Sequence, residues 1–213
     1  MRLFLSSEDF GIHPEALLDL VGQAPNTVAV INNAKDGLSK IERDQNTKER
    51  ITEFAHIGLL AKQLDLRKYF GKANKLAAEL KKYKLIWVSG GNTFILRRAM
   101  AASGFDSIIK KFLTEDELVY GGSSAGAICA TPSLHGTELG DNPKEVPEGY
   151  PSEIIWEGLS LVDFYIVPHY KSDWFGAEAE AMVRYMEMHE LPHRALMDGQ
   201  VIVVDGEEES LLE

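Results

Sequence analysis

Cysteine is nearly missing: Cys129 is the only one in 213 residues, so no internal disulfide can form and a disulfide scaffold is excluded. Long apolar stretches are missing too. No run reaches membrane-spanning length and no signal-peptide pattern is present, which makes the cytoplasm the expected compartment. Positive charge is in deficit, with 22 Lys and Arg against 33 Asp and Glu. The resulting net charge of −11 repels phosphate backbones and anionic lipid, so neither nucleic acid nor a membrane is expected as a partner. Low-complexity tracts, internal repeats and composition shifts are lacking, and 1–213 reads as one domain. The residues that are present, 45% hydrophobic and 26% charged, suffice to bury one sizeable core.

Short apolar runs bounded by turn residues alternate with segments of helical spacing, the pattern of a mostly parallel sheet covered by helices. The class is α/β. Strands are expected at 2–5, 27–32, 85–88, 118–121 and 164–167, with a weaker one near 64–66. A late pair at 194–197 and 201–204 flanks Asp198-Gly199, a strong hairpin-turn dipeptide. Helices are expected at 14–21, 48–63, 74–82, 93–102, 106–112 and 177–190, with Pro14 in a first turn and Asn74 as an N-cap. Segments 33–44 and 136–153 read as loops, and the acidic 206–213 as a fraying end.

The most informative segment runs Leu118-Val119-Tyr120-Gly121-Gly122-Ser123-Ser124-Ala125-Gly126-Ala127-Ile128-Cys129. It reads as strand, elbow, helix. Gly122-Ser123-Ser124-Ala125-Gly126 fits G-x-S-x-G, where a sharp turn presents the serine and its neighbours must be tiny. In that register Ser124 is the exposed residue, and the Ala125 N–H at a helix N-terminus faces an oxyanion formed on an attacked carbonyl. The alternative is a glycine turn that only packs closely or cradles a phosphate. A second glycine turn, Ser89-Gly90-Gly91-Asn92-Thr93-Phe94, ends the strand at 85–88 and also runs into a helix. Ligands of open α/β sheets bind at strand carboxyl ends, so Gly91 N–H can supply a second oxyanion donor. Its alternative is an Asn92 helix cap with glycines for geometry alone.

Of six histidines, only His169 ends a strand, in Pro168-His169-Tyr170. It would stand at the same sheet edge as Ser124 if that strand is parallel to the others, and it can take the serine proton and return it to a leaving amine. His135 is a candidate substrate contact, whereas His56, His189 and His193 read as structural or solvated. An orienting carboxylate is expected at Asp198, with Glu138 and Asp141 in the long loop as rivals. The chain order of serine, histidine and acid disfavours an α/β-hydrolase, where the acid precedes the histidine.

Together, Gly90-Gly91-Asn92-Thr93-Phe94, Gly122-Ser123-Ser124-Ala125-Gly126-Ala127, Pro168-His169-Tyr170 and Leu196-Met197-Asp198-Gly199 resemble the dipeptidase E (aspartyl dipeptidase) family of serine peptidases, to which cyanophycinases are related. The resemblance runs from Leu3-Phe4-Leu5-Ser6-Ser7 to the strand at 201–204. It implies a doubly wound, mostly parallel sheet with helices on both faces, like the class I glutamine amidotransferase domain with serine in place of cysteine. It further implies Ser124 as nucleophile, His169 as base, Asp198 as acid, Gly91 and Ala125 as oxyanion donors, a short peptide as substrate, and neither metal nor organic cofactor. Asn92, His135 and Lys171 are the expected substrate contacts. Aspartyl-specific members carry an arginine after the histidine. Here 171–180 has none, and Lys171 lacks the planar fork, so strict aspartyl specificity is not expected. A catalytically inactive binding member of the same fold is the competing expectation, followed by an amidotransferase-type domain using Cys129.

Overall fold

The computed structural model describes residues 1–22 and 27–213. The chain runs β1 (Arg2–Ser6), α1 (Pro14–Val21), β2 (Thr27–Ile31), α2 (Lys40–His56), β3 (Leu60–Gln63), α3 (Ala73–Leu80), β4 (Leu85–Val88), α4 (Thr93–Ser103), α5 (Phe105–Thr114), β5 (Val119–Ser123), α6 (Ala125–Cys129), β6 (Tyr165–Val167), α7 (Gly176–Met188), β7 (His193–Ala195), β8 (Val201–Asp205) and β9 (Glu208–Leu212).

Seven strands form the central sheet in the order β3-β2-β4-β5-β1-β8-β9. The first five are mutually parallel, and β8 runs antiparallel to both β1 and β9. Side-chain alternation splits each inner strand between two cores. Leu3, Leu5, Ala29, Ile31, Ile86, Val88 and Tyr120 face one core with residues of α3, α4, α5 and α6. Phe4, Val28, Val30, Leu85, Trp87 and Val119 face the other with residues of α1 and α2. Each fully buried aliphatic or aromatic side chain contributes about 1.5–3 kcal/mol, so a two-sided sheet is what these uninterrupted apolar runs stabilise best. Trp87 anchors the second core, with its ring 6.1 Å from Phe4, 5.1 Å from Phe10 and 5.5 Å from Phe54. The expected α/β class and most of the elements are borne out.

Several boundaries differ for identifiable reasons. The weak strand lies at Leu60–Gln63 rather than 64–66; it is an edge strand with mostly exposed residues, so it carries no apolar signal. Leu66–Tyr69 is instead a short 3₁₀ turn that begins on Asp65, whose side chain accepts from Arg67 N–H. The helix expected at 48–63 runs from Lys40 to His56, because Ser39 and Glu42 form a reciprocal capping box that turns 40–44 of the expected loop 33–44 into helix, while its expected end at 60–63 is strand β3. Helix α3 starts at Ala73 with Lys72 in the cap position, so Asn74 is not its N-cap. The late pair is not a hairpin: β7 pairs in parallel with β6 in a separate two-stranded sheet, while β8 joins the central one. The acidic end does not fray, since Glu208–Leu212 pairs with β8.

Candidate active site

The run from Leu118 to Thr131 is buried at every residue except Ser124. β5 delivers the chain to the carboxyl edge of the sheet and α6 leads it away, with Ser124 at the corner at φ 50°, ψ −113°. An L-residue reaches that conformation only at a cost of about 1–3 kcal/mol, which the packing around it must offset. The packing is close. A Cβ on Gly126 would collide with the Val88 carbonyl of β4, and one on Gly91 would lie 2.7 Å from the Ala34 carbonyl oxygen. Gly91 is at φ 138°, a region that favours glycine.

His169 reaches this corner by a route other than the expected one. Its strand, β6, belongs to the small sheet, so the main sheet does not set its register. The buried His169 nevertheless places Nε2 3.0 Å from Ser124 Oγ and Nδ1 2.6 Å from Asp198 Oδ1. Asp198 sits on the link from β7 to β8, not in a hairpin. Hydrogen bonds from Tyr170 N–H and Ser7 N–H to the Leu196 and Gln200 carbonyls tie that link to its neighbours. The nucleophile, base and orienter expected from the sequence thus stand in hydrogen-bond contact in that order.

One contributor was not singled out by sequence. Ser7, fully buried just beyond β1, donates its hydroxyl to Asp198 Oδ1 at 2.8 Å and accepts from His169 N–H at 2.8 Å. It bridges the two ends of the pair. His169 needs such fixing because its own backbone is at φ 60°. A serine at a strand end gives no sequence signal beyond its place in the opening Leu3-Phe4-Leu5-Ser6-Ser7.

The remaining expected residues divide. The Gly91 N–H has no hydrogen-bond partner among the described residues, and the Ala125 N–H opens helix α6, where no intrahelical acceptor exists for it. Asn92 is a helix cap, accepting from Phe94 and Ile95 N–H while its amide donates to Asn142 O and Glu145 Oε2. His135 lies flat on Trp156, centroids 4.5 Å apart, and Lys171 sits over the Tyr170 ring at 5.2 Å. Neither lines the cavity at Ser124. Of the rival acids, Glu138 accepts from Gly136 N–H and Asp141 from Thr93 N–H, the latter at 2.8 Å. His169 therefore takes Asp198 as its partner.

The cavity at Ser124 and His169 measures about 200 Å³, room for a single residue. Ile128, Trp174, Phe175 and Met182 supply apolar walls, and Asp141 supplies a carboxylate. Among the described residues, no arginine or lysine lines it. Burial lifts the Asp141 pKa above the usual aspartate range, opposed first by its Thr93 bonds, while Glu145 raises it and His169 lowers it further. Glu8 is raised by desolvation, then by the charges of Asp198 and Asp9, so carboxylates also crowd the outer side of the pair. Cys129 is buried and its pKa is pushed up to about 12, above all by desolvation, which leaves it an inert thiol. No described helix is long and apolar enough to cross a membrane, and no described cluster of acidic, histidine or cysteine side chains is arranged to hold a metal ion.

Comparison with known proteins places the chain among peptidases. A model of peptidase family S51 matches residues 5–212. A Drosophila melanogaster protein named a probable alpha-aspartyl dipeptidase is 34% identical over 139 residues, covering 62% of this chain and 55% of that one. The chain thus spans about half the length of this relative. An uncharacterised peptidase of Listeria innocua is 27% identical over 211 residues, covering 94% of this chain and 95% of the relative. Among solved structures, a Listeria monocytogenes protein designated peptidase E superposes with a TM-score of 0.81 at 25% identity, covering 100% of this chain and 98% of that one. A peptidase from an acI-B1 actinobacterium shares the fold, with a TM-score of 0.70 at 16% identity over 99% of this chain and 86% of its own.

Proposed function

The chain belongs to peptidase family S51, and from that premise we propose that it is a serine peptidase cleaving short peptides through an acyl-enzyme on Ser124. The observation that carries the residue roles is the continuous path Ser124 Oγ, His169 Nε2, His169 Nδ1, Asp198 Oδ1, at 3.0 and 2.6 Å. His169 takes the Ser124 proton as Oγ attacks the scissile carbonyl carbon, and Asp198 holds the imidazole tautomer and balances the imidazolium. The carbonyl oxygen, now an oxyanion, accepts from Gly91 and Ala125 N–H. Collapse expels the peptide amine, which leaves with the proton from His169. Water then attacks the ester, again deprotonated by His169, and regenerates Ser124.

A cavity of about 200 Å³ favours a single residue on the acyl side, in keeping with short peptides. The Drosophila relative's name refers to alpha-aspartyl dipeptides. Among the described residues a carboxylate and no lysine or arginine line that cavity, which argues against an acidic residue there. The net charge of −11 fits a cytoplasmic protein acting on small peptides, within one α/β domain.

A fluorophosphonate probe followed by intact-mass detection tests the assignment. Wild type is expected to gain one adduct at Ser124, while Ser124→Ala and His169→Ala gain none at a comparable rate. An unlabelled but folded wild type would overturn it in favour of a binding role.

A further inference from the structure

Among the described residues Trp174 is the one phenylalanine, tyrosine or tryptophan that is exposed, at 63%. It is nevertheless the near neighbour of a buried group. Its ring centroid lies 4.4 Å from that of His169, the two planes tilted by 56°, and part of its surface lines the cavity at Ser124. Phe175 completes the cluster, 5.8 Å from His169 and 5.5 Å from Trp174, but is partly buried and packs on Gly140. The turn that presents the indole is fixed. His169 and Lys171 both sit at positive φ, 60° and 61°, and Ser172 N–H donates to the His169 carbonyl at 3.0 Å. The N–H groups of Phe175 and Gly176 donate to Ser172 Oγ and O at 3.1 and 2.9 Å, and Tyr170 N–H ties the turn to Leu196 O at 2.9 Å. An indole left mostly in water on such a turn adds little to the core, and its apolar face is open to a ligand.

Resting on the serine-peptidase reading, we propose that the exposed face of Trp174 receives the side chain of the leaving residue, so that the site selects peptides whose second residue is aromatic. When the peptide bond breaks, the leaving nitrogen takes its proton from His169 Nε2 and so stands within hydrogen-bond reach of that ring. The leaving residue's Cβ lies only about 2.5 Å from its nitrogen, given standard bond lengths. Its side chain therefore starts beside His169, and the surroundings of His169 decide where it goes. Nδ1 is taken by Asp198, and the acyl residue fills the one-residue cavity. The solvent-facing part of the indole is the apolar surface that adjoins the ring and stays uncovered. A flat side chain gains most there, because ring pairs add offset or edge contacts to the apolar area they remove from water. A glycine as leaving residue has nothing to lay on it.

Hydrolysis of dipeptides with a common first residue tests this, because kcat/KM reports transition-state binding through the step that expels the leaving residue. Wild type is expected to cleave Leu-Phe and Leu-Trp about tenfold more efficiently than Leu-Gly, the range of one aromatic pair. In Trp174→Ala that ratio is expected to fall to about twofold or less, and in Trp174→Phe to keep most of its size. A ratio taken within one variant is untouched by any general loss of activity. The first residue serves as the control: Leu-Gly over Ala-Gly reports the cavity and is expected to change less than the second-residue ratio in Trp174→Ala. Equal handling of Leu-Phe and Leu-Gly by wild type, or an undiminished ratio in Trp174→Ala, overturns the proposal. Loss of the first-residue preference alone would also do so, by giving Trp174 to the acyl side. The fluorophosphonate reaction separates the two ideas. Labelled Ser124 with indifference to the leaving residue sinks only this proposal, whereas a folded protein that takes no label and cleaves no dipeptide sinks the peptidase reading and this inference with it.

Discussion

At the scale of single residues, the serine-histidine-aspartate line depends on Ser7. With its hydroxyl on Asp198 Oδ1 and its oxygen receiving His169 N–H, both at 2.8 Å, Ser7 fixes Asp198 and His169 relative to each other. Ser7→Ala is expected to lower kcat about tenfold or more with little change in KM, because Asp198 loses a hydroxyl donor and the His169 backbone N–H loses its acceptor. Ser7→Thr keeps the hydroxyl and should recover part of the loss. Equal kcat in Ser7→Ala, or no recovery in Ser7→Thr, would remove this role. Ser124 was legible because its neighbours must be glycine and alanine, a constraint that writes itself into sequence. Ser7, Asn92 and Asp141 were less so: a serine at a strand end, an asparagine before a helix and an aspartate in a loop are each common, and only their partners give them meaning.

At the scale of elements, the α4 helix organises the site from behind. Its N-terminus receives Asp141, and the buried Arg98, with no carboxylate hydrogen-bonded to it among the described residues, holds the 143–153 segment by its carbonyls. Arg98→Ala is expected to destabilise the fold by roughly 3 kcal/mol or more, since it leaves several carbonyls without a donor. Denaturant midpoints would show it, together with faster proteolytic nicking within 143–153. Unchanged stability and unchanged nicking would mean the loop is held by other contacts. The neighbouring Arg97 has a different office, pairing bidentately with Asp106 of α5 at 2.9 and 3.0 Å. Periodicity alone would put two adjacent arginines in solvent, and it could not foresee that both are buried. The start of α2 was, in contrast, written in the sequence as Ser39-Lys40-Ile41-Glu42, a capping box passed over because the polar stretch around it looks like a loop.

At the scale of the whole molecule, a field from a net charge of −11 surrounds a cavity whose fixed charge is also negative. Association with a cationic peptide is therefore steered. For a Leu-Lys amide, kcat/KM is expected to fall several-fold as salt rises from about 0.02 to about 0.5 M, while for Leu-Glu it should hold or rise, because ions screen exposed charges within a few ångströms at high strength. The same salt response for both peptides would show that the field plays no part.

The sequence by itself determined the class of the fold and the elbow. Strands buried on both faces need continuous apolar runs, and a serine held at positive φ between a strand and a helix needs small neighbours, so both leave local traces. It also carried the identities of His169 and Asp198, through the motifs around them. Only the tertiary structure decided how they meet. β6 and β7 pair with each other rather than with the central sheet, and the link to β8 carries Asp198 back to Ser7. Strand partners, an edge strand without apolar alternation, and a loop carboxylate facing the cavity of a serine 17 positions earlier (141 − 124) depend on contacts between distant segments. Such contacts are settled by packing and by the need to satisfy buried polar groups, neither of which has a period along the chain.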